Sequence, residues 1–289
     1  MSISRRLAVA VTALGTVAAG LVSGATVNSA GASATAGQTV DVVVKRDHTI
    51  QMPANIQPGV TTFKITSTRL AGFQIAQTTK GYTKKAAMRD VTAAFTKNNM
   101  RALKRFESKV TLLGGMPSTP RQAATMSTRL REGTYWALDT APMRLDPSKI
   151  LTFKVAGAPV GGQLSGHVIR AVGEVDWGKL SRHIPTQGQI WFQNRSKDNH
   201  FLEIAKLAKG KTMKDFRRWI EDAKAGKQSP PPVNLARTVD TGVISPGKSM
   251  TLDYRLPAGR YVLLCWWSDA DMGGTPHAFM GMYRGLTVG

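Results

Sequence analysis

Cysteine is nearly absent from the sequence, in which Cys265 is the single example among 289 residues. Since a disulfide needs two cysteines, a disulfide-stabilised framework within the chain is excluded. Histidine is also scarce, with five residues and no His-x-His pair. Since a cluster of three copper ions needs many imidazole ligands, such a trinuclear cluster is not expected.

Acidic residues are few as well. The chain has 18 Asp and Glu against 39 Lys and Arg, and its formal net charge is +21. A basic surface of this kind attracts polyanions and acidic proteins. We therefore expect either an acidic redox partner or an anionic cell-envelope polymer.

Long hydrophobic runs are absent beyond the N-terminus, so no transmembrane anchor is expected. Residues 1–34 combine the basic pair Arg5-Arg6, an apolar stretch over residues 7–22 and a run of small residues. This order is typical of a secretory signal peptide that is removed by cleavage. The sequence therefore predicts export, with a mature chain that is extracellular or associated with the cell envelope.

Signatures of hydrolytic enzymes are also missing. The sequence contains neither the G-x-S-x-G turn of serine hydrolases nor the H-E-x-x-H helix of zinc proteases. We therefore expect a protein that is not an enzyme and has no catalytic residue. No specific nucleic-acid partner is expected either.

The chain repeats itself at a little under half its length. A shift of 129 residues aligns the front part of each copy, and a shift of 126 residues aligns the back part. A repeat of this length indicates a duplicated domain rather than a solenoid. The identical pairs include Gly59 with Gly188, Phe63 with Phe192, Ser67 with Ser196, Gly133 with Gly259 and Tyr135 with Tyr261.

Each copy contains short strand candidates separated by turn residues, a pattern typical of a β-sandwich or barrel. Each copy also carries a helical insert, predicted to begin at Thr212 in the second copy and to break at Asn98-Asn99 in the first. The sequence predicts an all-β fold with helical inserts and two domains, at residues 38–156 and 163–289. The strand candidates are residues 40–44, 61–66, 135–139, 151–155, 189–194, 250–254, 260–265 and 283–288.

The end of the second copy holds the residues that indicate chemistry. A strand candidate ends in Cys265, a loop carries His277, and Gly281-Met282 opens the next strand. This arrangement resembles the metal loop of the cupredoxins, the small blue copper proteins, and its His-x-x-x-Gly-Met portion is similar to the pseudoazurin type. His200 lies where that family supplies its first histidine ligand.

The resemblance implies two tandem cupredoxin-like Greek-key β-sandwiches. It also implies one copper ion of type 1-like character in the second, bound by His200, Cys265 and His277, with Met282 as a weak axial ligand. Two imidazoles and a thiolate with a distant thioether suit copper in both oxidation states. The implied function is electron transfer or copper handling in a secreted protein.

Several alternatives stay open for this site. Met280 is a rival axial donor, because strand alternation would put it on the same face as Met282. Asp269 and Asp271 lie in an eleven-residue loop between Cys265 and His277 and could favour a harder or more solvent-exposed metal site. Cys265 could also be a small buried hydrophobe.

The first copy has Ala71 and Asp139 at the positions of His200 and Cys265, so we expect it to be metal-free. Its basic helix residues, Lys104 and Arg105 among them, are candidates for a docking surface. The alternative function is a metal-free cupredoxin-like binding module that attaches to anionic envelope material through this basic surface.

Overall fold

A computed structural model of the chain describes residues 37–142 and 145–289, and of residues 235–237 it describes the backbone alone. The predicted signal peptide, residues 1–34, lies outside the described residues and stays a prediction. Within the described residues, no helix is both long enough and apolar enough to span a membrane.

The first unit runs from residue 38 to residue 155 and contains two helices, α1 (Lys84–Lys97) and α2 (Met100–Lys109). A short 3-10 turn at Pro147–Lys149 precedes its last strand. Its strands are β1 (Gln38–Val44), β2 (Ile50–Gln51), β3 (Asn55–Ile56), β4 (Gly59–Ser67), β5 (Ala71–Thr78), β6 (Val110–Ser118), β7 (Ala124–Leu130), β8 (Gly133–Asp139) and β9 (Leu151–Val155).

The second unit begins at residue 167 and contains helix α3 (Met213–Lys224) and a 3-10 turn at His277–Met280. Its strands are β10 (His167–Val172), β11 (Asp176–Trp177), β12 (His183–Ile184), β13 (Gln187–Asn194), β14 (Glu203–Leu207), β15 (Val233–Asp240), β16 (Ser249–Arg255), β17 (Gly259–Leu264), β18 (Ser268–Asp269), β19 (Thr275–Pro276) and β20 (Tyr283–Val288).

The two units have the same strand order in both of their sheets. One sheet is β2-β1-β4-β7 in the first unit and β11-β10-β13-β16 in the second, and the other is β3-β9-β8-β5-β6 and β12-β20-β17-β14-β15. The predicted tandem β-sandwich with few helices is therefore confirmed. The gap between β9 and β10 contains residues 157–162, which separate the two predicted domains, and on this basis we propose domains at residues 38–156 and 163–289.

Strands β7 and β16 pair edge to edge and join the units into one eight-stranded sheet. In this antiparallel junction Leu252 lies opposite Met126. These residues are also equivalent under the 126-residue shift, so the junction has approximate twofold symmetry about this pair. The pairing removes one exposed edge from each sandwich, and exposed edges promote aggregation.

The strands form because apolar side chains alternate along them. Val40, Val42 and Val44 of β1 are buried while the residues between them point away from the core. In β13, Ile190 and Phe192 are buried in the same way. A one-residue slip would turn each set to the opposite face, so the burial of one face specifies the register.

The helical inserts begin and end at the residues that the sequence indicated. Thr212 starts α3 with a capping box, in which its backbone N–H donates to Asp215 Oδ2 at 2.8 Å. Asn98 ends α1 in a left-handed conformation with φ of 52°. Asn99 then caps α2 by accepting a hydrogen bond from Ala102 N at 3.0 Å. Both predicted helix positions are confirmed.

Candidate metal centre

Cys265 follows directly after β17 and is fully buried. Its backbone N–H donates to the carbonyl oxygen of Met282 at 3.3 Å, which continues the pairing of β17 with β20. Burial raises the pKa of the Cys265 thiol to about 12, and backbone N–H groups of Trp267 and Phe201 oppose this by donating to the sulfur. These two donors favour the thiolate form, which metal ligation by Cys265 would require.

His277 reaches Cys265 because the long loop between them folds back on itself. Strands β18 and β19 pair as a small hairpin, and the His277 N–H donates to the carbonyl oxygen of Trp267 at 2.9 Å. The hairpin closes most of the eleven-residue loop, so the ring lies beside the thiol despite the long separation in sequence. The distance from Cys265 Sγ to His277 Nδ1 is 3.7 Å.

His200 is held by its backbone and by its ring. Its backbone exchanges hydrogen bonds with Ile244 at 3.1 and 2.8 Å. Nε2 of the ring contacts Ser196 Oγ at 2.8 Å, and Ser196 Oγ lies 2.7 Å from Asn194 Oδ1. Because that amide oxygen can only accept, the Ser196 hydroxyl donates to it and accepts from His200 Nε2–H. The lone pair of His200 is therefore on Nδ1.

The three side chains converge on one point. His200 Nδ1 and His277 Nδ1 are 3.0 Å apart, and the ligand atoms of His200, Cys265 and His277 all lie within 4.8 Å of one another. Each of the three residues has 0% exposure. Two imidazole nitrogens and a sulfur, gathered in a dry interior, are a donor set for copper or zinc.

The protonation of these groups also fits a metal ion. Burial lowers the pKa of His200 to about 3, with His277 adding to the effect, and burial lowers the pKa of His277 to about 4. Both imidazoles are therefore neutral at ordinary pH, as metal ligation requires. The buried His200–Cys265–His277 group is consistent with a type 1-like copper site.

Met282 is placed beside this group by its backbone. Gly281 adopts φ of 105°, a conformation that favours glycine, and the Met282 N–H then donates to the His277 carbonyl oxygen at 3.0 Å. Met282 has 0% exposure, whereas Met280 is half-buried in the 3-10 turn. The expected alternation of both along one strand was therefore wrong, because a turn and a left-handed glycine separate them. The axial role of Met282 stays a prediction.

The first unit packs over the metal loop, a contact that no local sequence signal indicated. Glu107 of α2 accepts hydrogen bonds from Trp267 Nε1 at 2.7 Å and from Asn199 Nδ2 at 3.3 Å. Phe95 of α1 lies edge-on to Trp267 with ring centroids 5.5 Å apart. Lys104 of α2 forms an ion pair with Asp271 of the same loop.

Two residues that were expected to form a docking surface take part in contacts within the chain. Lys104 is engaged by Asp271, and the Arg105 guanidinium donates to Oδ1 of buried Asp90 at 3.0 Å. Their charges therefore take part in contacts within the chain, and their replacement would disturb those contacts. Lys97 and Arg101 are exposed on the same two helices.

The corresponding corner of the first unit has a different chemistry. Asp139, at the position of Cys265, is buried and forms an ion pair with Arg69. His48 Nδ1 lies 2.9 Å from Asp139 Oδ2. His48 therefore belongs to the same polar cluster as Arg69 and Asp139. Ala71, at the position of His200, begins β5 and is buried.

No protein-family model and no curated protein sequence matches the chain. Among solved structures, the chain is similar to dithionite-reduced auracyanin from Roseiflexus castenholzii, with 22% identity over 42% of this chain and 94% of that chain and a TM-score of 0.27.

Two further solved structures are similar. Auracyanin A, a "blue" copper protein from Chloroflexus aurantiacus, has 14% identity over 42% of this chain and 96% of that chain and a TM-score of 0.28. A multicopper oxidase has 10% identity over 87% of this chain and 88% of that chain and a TM-score of 0.24. We therefore base the interpretation of the site on its own geometry.

Proposed function

We propose that the chain is an exported, non-enzymatic protein that binds one copper ion in its second unit for electron transfer or copper handling. The proposed ligands are His200, Cys265 and His277, with Met282 as a weak axial ligand. The convergence of two imidazole nitrogens and one thiol in a fully buried cluster supports this function. Copper bound there would supply one-electron chemistry through its two oxidation states.

The protein's own contribution is rigidity. Backbone hydrogen bonds hold His200 to Ile244, Cys265 to Met282 and His277 to Trp267, so each ligand residue is tied to another segment of the chain. Ser196 orients the His200 ring, a role that outer partners of metal ligands usually have. A site held in this way would change little between oxidation states of a bound copper ion, and the hydrogen bonds to the sulfur would tune its potential.

Addition of copper(II) to the mature chain tests this function. We expect one equivalent to bind and to produce a strong visible thiolate-to-copper band, which Cys265→Ser abolishes. Met272→Leu is the matched control, because Met272 lies in the same loop with 58% exposure and should leave the band unchanged. A chain that stays colourless and binds no copper would contradict the proposal.

The basic surface supports an acidic redox partner, because complementary charge accelerates encounter. Transfer rates should then fall steeply with added salt while copper content stays constant. Replacement of the exposed residues Lys97 and Arg101 by glutamate should lower the rate at low salt. Salt-sensitive retention on anionic envelope material, equal with and without copper, would instead favour the metal-free binding module.

A further inference from the structure

A second group of ligand atoms lies next to the buried cluster. Asp198, Asp269 and His277 each place one ligand atom within 4.8 Å of the other two. Asp198 precedes His200 by two residues, and Asp269 belongs to the hairpin that carries His277. Both carboxylates are half-buried, so they are accessible from solvent while His277 is fully buried behind them.

The two nitrogens of the His277 ring have different surroundings. Nδ1 faces Cys265 Sγ and His200 Nδ1. Nε2 is buried and has no hydrogen-bond partner within the described part of the chain. A buried imidazole nitrogen without a partner costs free energy, so a ligand for it is expected.

The two carboxylates also lack a cationic partner. Within residues 37–142 and 145–289, neither Asp198 nor Asp269 forms an ion pair with a basic side chain, although the chain has 39 Lys and Arg. The carboxylates of Asp269, Glu174 and Asp271 lie near Asp198 and repel its charge. Glu107 adds another carboxylate to the neighbourhood. A bound cation would relieve this repulsion.

The internal repeat shows that the charge at this position differs between the two units. The 129-residue shift that aligns Ser67 with Ser196 also aligns Arg69 with Asp198. In the first unit, Arg69 supplies the positive charge beside Asp139. In the second unit Asp198 stands at the position of Arg69, so a carboxylate replaces the basic side chain beside this corner.

We propose that Asp198, Asp269 and His277 Nε2 bind a second divalent cation at the rim of the buried cluster, so that the His277 ring bridges the two sites. Two carboxylates and one imidazole suit manganese, iron(II) or zinc better than copper(I). The length of the loop between Cys265 and His277 is then explained, because the loop supplies Asp269 as a ligand. This site does not use the thiol, and it stands or fails independently of copper binding at Cys265.

Manganese(II) alone is the test probe, because it prefers oxygen and nitrogen donors over thiolates. Titration of the mature chain, followed by electron paramagnetic resonance of the unbound ion, should give one bound equivalent. Asp198→Asn and Asp269→Asn should each weaken binding by about tenfold or more. Cys265→Ser should still bind manganese, which separates this site from the copper site.

Asp271→Asn is the matched control, because Asp271 belongs to the same loop but is paired with Lys104. It should change manganese affinity much less than the other two variants. The proposal is overturned if manganese does not bind, or if binding is insensitive to Asp198→Asn and Asp269→Asn. If these variants alter only the copper spectrum, the carboxylates orient the His277 ring and bind no cation.

Discussion

The two units place different chemistry at the same corner of the same sandwich. At the end of β8, Asp139 is buried against Arg69 and His48. At the end of β17, Cys265 is buried against His200 and His277. The backbone topology is shared, since β8 and β17 occupy equivalent places in their sheets.

The comparison shows that buried polar side chains at the same position of this fold can be accommodated in two ways. The first unit neutralises its carboxylate with a side-chain cation from within the chain. The second unit gathers neutral nitrogens and a thiol, and its neighbouring charges are carboxylates. The first corner pairs opposite charges within the chain, whereas the second gathers a donor set that suits a metal ion.

Cys265→Asp places in the second unit the buried carboxylate that Asp139 supplies in the first, but without a partner equivalent to Arg69. We expect this variant to cause the largest loss of stability. A buried carboxylate without a cationic partner costs about 3 kcal/mol or more in unfolding free energy. The thiolate-to-copper band should disappear as well. Urea unfolding with a parallel visible spectrum checks both effects.

A double variant sharpens the same comparison. Adding Asp198→Arg to Cys265→Asp restores the first unit's pairing, and part of the lost unfolding free energy should return. If the two substitutions change the unfolding free energy additively, the introduced carboxylate and guanidinium do not interact. The two corners would then differ in geometry.

Arg69→Ala tests the first corner alone. Asp139 would be left buried with His48 as its remaining ionisable contact, and we expect a loss of about 2–3 kcal/mol. The copper spectrum should not change, because the site lies in the other unit. Lys64→Ala, at an exposed position of β4, is the control and should alter stability by less than about 0.5 kcal/mol. A weakened copper band in Arg69→Ala would contradict the separation of the two corners.

Gln74→Leu tests how far the first unit supports the second unit's site. Gln74 is 4% exposed; its Oε1 accepts from Val243 N at 2.9 Å, and its Nε2 donates to the Val243 carbonyl oxygen at 3.1 Å. The next residue, Ile244, holds the backbone of His200. We expect a loss of about 1–3 kcal/mol in stability and a weaker copper affinity.

The control for this variant is Gln77→Leu, at a half-buried position of the same strand. It should change copper affinity little. Equal effects of Gln74→Leu and Gln77→Leu on copper affinity would mean that the contact with Val243 does not support His200.

Met282→Leu should have the smallest effect on stability, below about 1.5 kcal/mol, because leucine has a similar volume. It should nevertheless shift the copper spectrum and potential, since the axial thioether tunes the site. Met280→Leu is the matched variant and should shift neither. If Met280→Leu produces the shift and Met282→Leu does not, the axial assignment is wrong.

Much of this organisation was predictable from local patterns. The repeat, the alternating apolar residues and the turn residues predicted two β-sandwiches, and the Thr212 and Asn98-Asn99 signals predicted helix boundaries. The three residues His200, Cys265 and His277 were named as ligands from a resemblance, and the structure brings them together. Asp269 was named as an oxygen donor from its place in the loop, but Asp198 was missed, because it carried no recognisable motif.

The sequence by itself determined what depends on neighbours along the chain: the strands, the helix caps, the duplication and the identity of the donor atoms. Tertiary structure alone decided what depends on distant residues. It placed Glu107 in hydrogen-bonding contact with Trp267 and paired Lys104 with Asp271. It also placed Ile244 between the first unit and His200. The reason is physical: propensities and caps act within a few residues, whereas a metal site requires atoms from distant segments to meet within a few ångströms.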